Sequence, residues 1–159
     1  MKIAIAPQIL FSCQSHPLNK PSFEIYVARC QKRCKGCHNP ELWEFDEEKH
    51  ILITPHQLLF KIQDLAKSFQ FIKDVIILGG EPLLYKDPLT IFFKLIKTHI
   101  PDMRIGLYTG FEEDEIDWSW EIFQFLDWIK VGAYREDLLN PKNSKLASLN
   151  QTFLFFSKH

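Results

Sequence analysis

The sequence predicts an α/β fold, a mainly parallel sheet curled into a partial (β/α) barrel. Three observations carry this expectation. Short β-prone apolar runs at 23–27, 74–78, 104–108 and 128–131 alternate with longer segments, two of which have helical spacing. Two of the runs pass straight into loops rich in chemistry, a cysteine loop after Val27 and Gly79-Gly80-Glu81-Pro82 after Leu78. Parallel α/β folds place their sites at such carboxyl ends. Finally, 159 residues fall far short of the ~250 that close an eightfold barrel, so the barrel stays open.

Taken in order, residues 1–22 show little periodicity. Ile3 to Ile5 alternates weakly and suits a short strand, while Pro7, Pro17 and Pro21 punctuate a loop. Cys13 reads as a lone thiol. The sequence leaves open whether this segment packs on the barrel or on a partner. Residues 23–27 (FEIYV) alternate and form the first core strand. Residues 41–49 are acidic and irregular. Thr54-Pro55-His56-Gln57 opens a helix: Thr54 caps, Pro55 suits the first turn and Gln57 completes a capping box. Leu58, Leu59, Ile62, Leu65, Ala66 and Phe69 then recur at helical spacing.

Residues 74–78 (DVIIL) form a near-continuous apolar run, as in a strand covered on both faces. Asp87-Pro88 starts the next helix, with Ile91, Phe92, Leu95 and Ile96 as its stripe and Pro101 beyond its end. Residues 104–108 (RIGLY) are the third strand, followed by Thr109-Gly110. The acidic stretch 112–117 reads as a helix start, since carboxylates there complement the helix dipole. Residues 121–126 read as helical, 128–131 (WIKV) as the fourth strand, 140–151 as a polar loop and 153–156 as a last strand. There is no internal repeat, so the expectation is a single domain over 1–159, with 23–159 as its core.

Composition narrows the function. The 46% hydrophobic content, with 14 phenylalanines, supports a real core. A net charge of −1 offers no basic field for nucleic acid. No apolar run reaches the ~18–20 residues of a membrane span. The start MKIAIAPQILF lacks a charged region and a cleavage site, so no signal peptide is expected. Clustered thiols suit a reducing compartment, and the expectation is cytoplasmic.

The chemistry concentrates at CQKRCKGCHNPELW, residues 30–43, where Cys30, Cys34 and Cys37 stand as C-x3-C-x2-C. Thiolates are soft ligands for zinc, copper(I) and iron–sulfur clusters. A cubane cluster normally takes four cysteines, so three leave one iron open to a substrate or cofactor. Arg29, Lys32, Arg33 and Lys35 offset the cluster's negative charge. The other reading is structural zinc, with a fourth ligand from Cys13, His38 or His50, although no second short pair of ligands is present. Gly79-Gly80-Glu81-Pro82 reads either as a ligand-approach loop or as a plain strand-to-helix turn. Thr109 reads as a ligand contact or a cap. Lys130 interrupts a buried-looking strand, as a ligand or as a lysine whose stem packs on the sheet.

The cysteine spacing resembles the cluster signature of the radical S-adenosylmethionine superfamily, and CHNPELW resembles its glycyl-radical activating subgroup. GGEP after the second strand and Asn150-Gln151 before the last one are similar to the activating protein of class III anaerobic ribonucleoside-triphosphate reductase. The resemblance covers most of 23–156. Residues 1–22 depart from it, lacking the glycine-rich pattern of those activators, which leaves the partner enzyme open.

That resemblance implies a 4Fe-4S cluster on Cys30, Cys34 and Cys37, and S-adenosyl-L-methionine beside it. Gly79, Gly80 and Glu81 would take its methionine end, His38 and Asn39 its adenine, and Thr109 and Lys130 further polar groups. It implies no catalytic acid or base. The cofactor would be cleaved reductively to make a glycyl radical on a partner, the large subunit of the anaerobic reductase, with an electron donor such as a flavodoxin. Other readings are an activase of a pyruvate formate-lyase-like enzyme, a small-molecule enzyme such as 7-carboxy-7-deazaguanine synthase, or a zinc-binding interaction module.

Overall fold

Strand alternation sorts this chain into two faces of one sheet. The computed structural model describes residues 1–30, 32–140 and 146–157. Its strands and helices are β1 (Ile3–Ile5), β2 (Leu10–Ser12), β3 (Ser22–Val27), β4 (Ile51–Ile53), α1 (Pro55–Ser68), β5 (Asp74–Gly79), α2 (Lys86–His99), β6 (Arg104–Tyr108), β7 (Trp128–Val131) and β8 (Thr152–Phe155). The sheet order is β4-β1-β3-β5-β6-β7-β8, with β2 also on β3. The centre β3-β5-β6-β7 is parallel, and the flanking pairs are antiparallel. The mostly parallel sheet does not close, as expected for a partial barrel. Among the described residues no helix is long and apolar enough to cross a membrane.

Register pairs Ile25 with Ile77 and Leu107 with Ile129, on the face that α1 and α2 cover. Phe23, Ile25, Val75, Ile77, Ile105, Leu107 and Ile129 are sealed there against Leu58, Ile62, Leu89, Phe92, Phe93 and Ile96. Each such side chain contributes roughly 1.5–3 kcal/mol. The opposite face carries Glu24 and Tyr26 level with Ile76 and Leu78, and Tyr108 level with Lys130. Its apolar cluster of Ile76, Leu78 and Trp128, ringed by Tyr26, Tyr108 and Phe153, contains no helical residue. A Cβ on Gly106 would lie 2.1 Å from the Trp128 ring, so the indole occupies the space of a missing side chain.

The expected capping box forms at α1: the Gln57 N–H donates to Thr54 Oγ1 at 3.2 Å and the Thr54 N–H to Gln57 Oε1 at 2.9 Å. α2 follows a 3-10 turn, Pro82–Tyr85, with Asp87 and Pro88 in its first turn.

Between β6 and β7 the expected helices are absent, replaced by 3-10 turns at Glu113–Glu115 and Glu121–Gln124. The Asp117 carboxylate accepts from the Ser119 N–H at 3.0 Å, a local bond that competes with helix. Trp118 and Phe123, 4.9 Å apart, pack on each other rather than forming a stripe.

Two strands, β2 and β4, were not foreseen. Residues 1–22 pack on the sheet. β1 lies between β3 and β4, with Ile3, Ala4 and Ile5 fully buried. β1 and β2 both run along β3, and residues 6–9 bulge between them. The following strap is pinned to Asp74 at the amino end of β5 and to the side chain of Tyr108, the last residue of β6. Leu18 N–H donates to His16 Nδ1 at 3.0 Å, His16 Nε2 to Asp74 at 3.1 Å, and Tyr108 Oη to the Ser15 carbonyl at 2.6 Å. Arg104 grips Asp74 with two bonds, 3.0 and 2.7 Å. Burial alone would raise the pKa of Asp74, but the bonds from His16 and Arg104 hold it below the ordinary carboxylate value.

Candidate functional site

Because the central strands are parallel, Val27, Gly79, Tyr108 and Val131 deliver their loops to one edge. The cysteine loop is tied back on itself. Arg29 N–H donates to the Leu42 carbonyl at 2.7 Å, Cys30 N–H to that of Trp43 at 2.9 Å, and Cys37 N–H to that of Cys34 at 3.0 Å. Gly36 turns at φ +75°, and a Cβ there would press on the Tyr134 ring at 3.2 Å.

The glycine pair after β5 answers to the chain's own backbone. A Cβ on Gly80 would lie 2.3 Å from the Arg29 carbonyl oxygen, and one on Gly79 2.7 Å from that of Val27. The vacant space lets Gly80 N–H donate to Val27 at 2.7 Å and Glu81 N–H to Arg29 at 2.8 Å. Thus the cysteine loop is seated on the β5 exit, a use of the glycines beyond the two that the sequence offered, ligand approach or a plain strand-to-helix turn.

All ten residues singled out above line a single cavity of about 180 Å³: Cys30, Cys34, Cys37, His38, Asn39, Gly79, Gly80, Glu81, Thr109 and Lys130. A larger hollow of about 540 Å³ beside Arg33 and residues 40–47 contains no thiol. The thiols sense one another. Burial raises the Cys34 pKa, the neighbouring Cys30 and Cys37 raise it further, and Lys32 opposes them. Asn39 N–H points at Cys37 Sγ, 3.4 Å away.

Glu81 and Thr109 are engaged with each other. The buried Glu81 carboxylate accepts from Leu83 N–H at 2.9 Å, Gly110 N–H at 2.7 Å and the Thr109 hydroxyl at 2.9 Å. Thr109 Oγ1 in turn accepts from Phe111 N–H at 3.1 Å, capping a turn although no helix follows. Burial raises the Glu81 pKa, and these bonds oppose it. The pair braces the β6 exit against the β5 exit, leaving the main chain of 79–81 to face the cavity.

Lys130 is 8% exposed and has no carboxylate within 4.0 Å among the described residues. Its Nζ stands 4.5 Å from the centre of the Tyr108 ring, and burial holds its pKa at about 8.

Sequence reading missed Tyr108, Gly132 and Tyr134, which also line the cavity, and did not place there Lys32, read only as one of four cations, or Gln151, read only as part of the resemblance. Lys32 sits 4.7 Å over the Phe111 ring, and Tyr134 lies 5.0 Å from the His38 ring. Its position among the four cations of the cysteine loop was the available signal for Lys32. For Tyr134 there was none, since its neighbours come from a distant loop. Asn150 and Gln151 fasten this wall: Asn150 Nδ2 donates to the Ala133 carbonyl at 2.8 Å and Gln151 Nε2 to that of Gly132 at 3.1 Å. Residues 141–145 of the expected polar loop lie outside the described residues.

Of the alternative zinc ligands, His38 lines the thiol cavity itself, whereas Cys13 and His50 lie elsewhere. Cys13 follows Ser12, which pairs with Ser22 at the far end of β3, roughly 17 Å by strand rise from Val27. His50 uses Nδ1 to accept from the Asp46 N–H at 3.0 Å.

The family described as 4Fe-4S single cluster domain matches residues 22–154. The anaerobic ribonucleoside-triphosphate reductase-activating protein of Haemophilus influenzae is 27% identical over 138 residues, 80% of this chain and 83% of that protein. Its namesake from Vibrio cholerae is 26% identical over 137 residues, 84% of this chain and 86% of that protein. The fold is similar to the crystal structure of QueE from Escherichia coli, with a TM-score of 0.58 and 18% identity over 70% of this chain; the chain spans about half, 54%, of that structure.

Proposed function

The chain belongs to the 4Fe-4S single cluster domain family, and from that premise we propose that it is a cytoplasmic radical S-adenosylmethionine enzyme that installs a glycyl radical on an anaerobic ribonucleoside-triphosphate reductase. One observation carries the reading. Three thiols open into the cavity that also receives the backbone of 79–81 and a buried lysine with no carboxylate partner among the described residues.

The residues fit the group. Cys30, Cys34 and Cys37 would hold the cluster. Zinc with Cys13 or His50 as its fourth ligand does not fit, because Cys13 is at the other end of β3 and His50 is turned to Asp46; a zinc site completed by His38 is the competing reading that the metal content below separates. Glu81, the one carboxylate among the described residues lining the cavity, turns its oxygens to Leu83, Thr109 and Gly110 rather than offering them as a metal ligand. When bound, the cluster supplies one electron for cleaving S-adenosylmethionine to methionine and a 5′-deoxyadenosyl radical, which takes a hydrogen from a glycine Cα.

Each protein group then has a positioning task. Lys32 offsets cluster charge. The main chain at Gly79 and Gly80 meets the methionine amino group, held in place by Glu81. Lys130 meets the methionine carboxylate, which replaces the water that burial has taken from its ammonium. His38, backed by Tyr134, and Asn39 flank the adenine. Thr109, whose hydroxyl is already engaged, acts by fixing the β6 exit. No side chain needs to act as a general acid or base. The two activating relatives, each matched over most of its length, support the reductase as partner, with a flavodoxin-like donor of the electron.

The test is anaerobic reconstitution with iron and sulfide, then reduction with S-adenosylmethionine present. Expected are 5′-deoxyadenosine, lost in Cys34→Ala, and a glycyl radical signal by electron paramagnetic resonance on the reductase encoded in the same genome. Bound zinc and no cluster would overturn the enzyme. Deoxyadenosine without the glycyl signal would overturn the choice of partner.

A further inference from the structure

Beside Tyr26 of β3 and the bulge that joins β1 to β2 lies a second cleft of about 560 Å³. That size falls within the range of about 300–1,000 Å³ typical of ligand clefts. Its walls come from the bulge after β1 (Pro7, Gln8), from Leu10 and Tyr26, and from Asn39 and His50. Asn39 also lines the cysteine cavity, so the two spaces adjoin there.

The cleft contains a polar group that the fold itself does not use. His50 is 5% exposed. Its Nδ1 accepts from the Asp46 N–H, so the neutral ring carries its proton on Nε2. No described residue accepts that proton. The sealed, unbonded side-chain polar atoms among the described residues are the Trp43 and Trp128 indole nitrogens, so Nε2 of His50 opens onto the cleft. That N–H faces the cleft with no protein acceptor among the described residues, so it is available to an occupant that brings an oxygen.

Neighbouring groups add to the pattern. The Tyr26 hydroxyl donates to Glu24 at 3.4 Å and keeps its lone pairs. The Asn39 side-chain amide, a donor and an acceptor together, has no partner among the described residues. β2 pairs with β3 alone, so its outer main-chain edge is open beside Leu10. Donor, acceptor, amide and strand edge match the alternating C=O and N–H groups of an extended peptide.

We propose that this cleft receives an extended peptide segment of the partner enzyme, held by its main chain, and leads it past Asn39 to the cysteine cavity. The proposal rests on the activating function above and adds where the protein substrate is gripped.

The test uses acetyl-tetraglycine-amide, a peptide backbone with no side chains, on the reconstituted enzyme. Deuterium from heavy water exchanges into the imidazole C2 position where solvent reaches the ring, and peptide mapping by mass reads each site. We expect His50 to exchange, and its rate to fall at least fivefold as the peptide saturates, while the exposed His56 and His99 are unchanged. An inert His50, a rate untouched by the peptide, or equal slowing at all three histidines would overturn the proposal. So would equal protection by S-adenosylmethionine alone, which would make the cleft part of the cofactor site. With the reductase, His50→Phe should raise KM several-fold more than it lowers kcat, and an unchanged KM would count against the grip. Absence of deoxyadenosine from the wild type would overturn the activating function and leave the protection result standing.

Discussion

Replacing Lys130 with methionine should make the protein more stable and its cofactor binding worse. The lysine is buried, faces the Tyr108 ring and has no carboxylate partner among the described residues. Burial holds its pKa at about 8, against 10.5 for a free lysine. At 1.36 kcal/mol per pKa unit, that difference corresponds to roughly 3 kcal/mol against folding wherever the ammonium is charged in both states, below about pH 8. The ring contact returns about 0.5–2 kcal/mol. Lys130→Met, which keeps the length of the stem, should therefore stabilise the cofactor-free protein by about 1–3 kcal/mol at pH 7.

The sign with pH follows. A depressed lysine contributes stability that is present above its unfolded pKa and lost as pH falls through the folded one. Between pH 8 and 10.5 the wild type therefore gains on the variant, and at pH 9.5 the pKa contribution to the gap should have shrunk to about 1 kcal/mol. Urea denaturation of both proteins at pH 7 and 9.5 measures this, and titrations common to the two cancel. A variant that is less stable at pH 7, or a gap that ignores pH, would refute the reasoning. S-adenosylmethionine affinity should fall at least tenfold in the same variant, since a desolvated cation is retained at that cost for a ligand's anion.

Other changes test the frame. Gly80→Ala drives a methyl into the Arg29 carbonyl; it should cost about 1–3 kcal/mol by denaturation and lower the iron retained after reconstitution. Glu81→Gln replaces one acceptor oxygen with a donor facing N–H groups, and should destabilise by about 2–4 kcal/mol in thermal melts. Asp74→Asn should cost about 2–4 kcal/mol at pH 7. Because the Asp74 pKa is lowered, its contribution is present above about 3.8 and lost as pH falls, so the gap to wild type should close in acid denaturation. Cys13→Ser should leave iron content unchanged, and loss of iron would place that thiol in the site.

The central strands were legible because each is a run of four to six residues buried on both faces, and such runs announce themselves in composition. β2 and β4 were not, since three residues carry no period and become strands only by pairing with β1 and β3. The crossover before β7 misled because its acids and aromatics fit a helix on paper, while Asp117 and the Trp118–Phe123 contact hold turns instead. Within the site, spacing exposed the thiols and the glycine pair. It could not disclose that the glycines make room for Arg29 and Val27, nor that Glu81 spends its carboxylate on Thr109 and Gly110, because those partners lie across strand exits.

The placement of β1 has a practical consequence for handling the molecule. Met1 is 74% exposed, whereas the next residue but one begins a stretch with no exposure at all. A tag joined to Met1 should be tolerated. Trimming by even five residues is another matter, because β4 reaches the sheet only through β1 among the described strands. Removing β1 would strand β4, unseat the Thr54 cap that follows it and loosen the first turn of α1. β1 is thus an interior beam, and a protease that cuts beyond Lys2 would be cutting into the core.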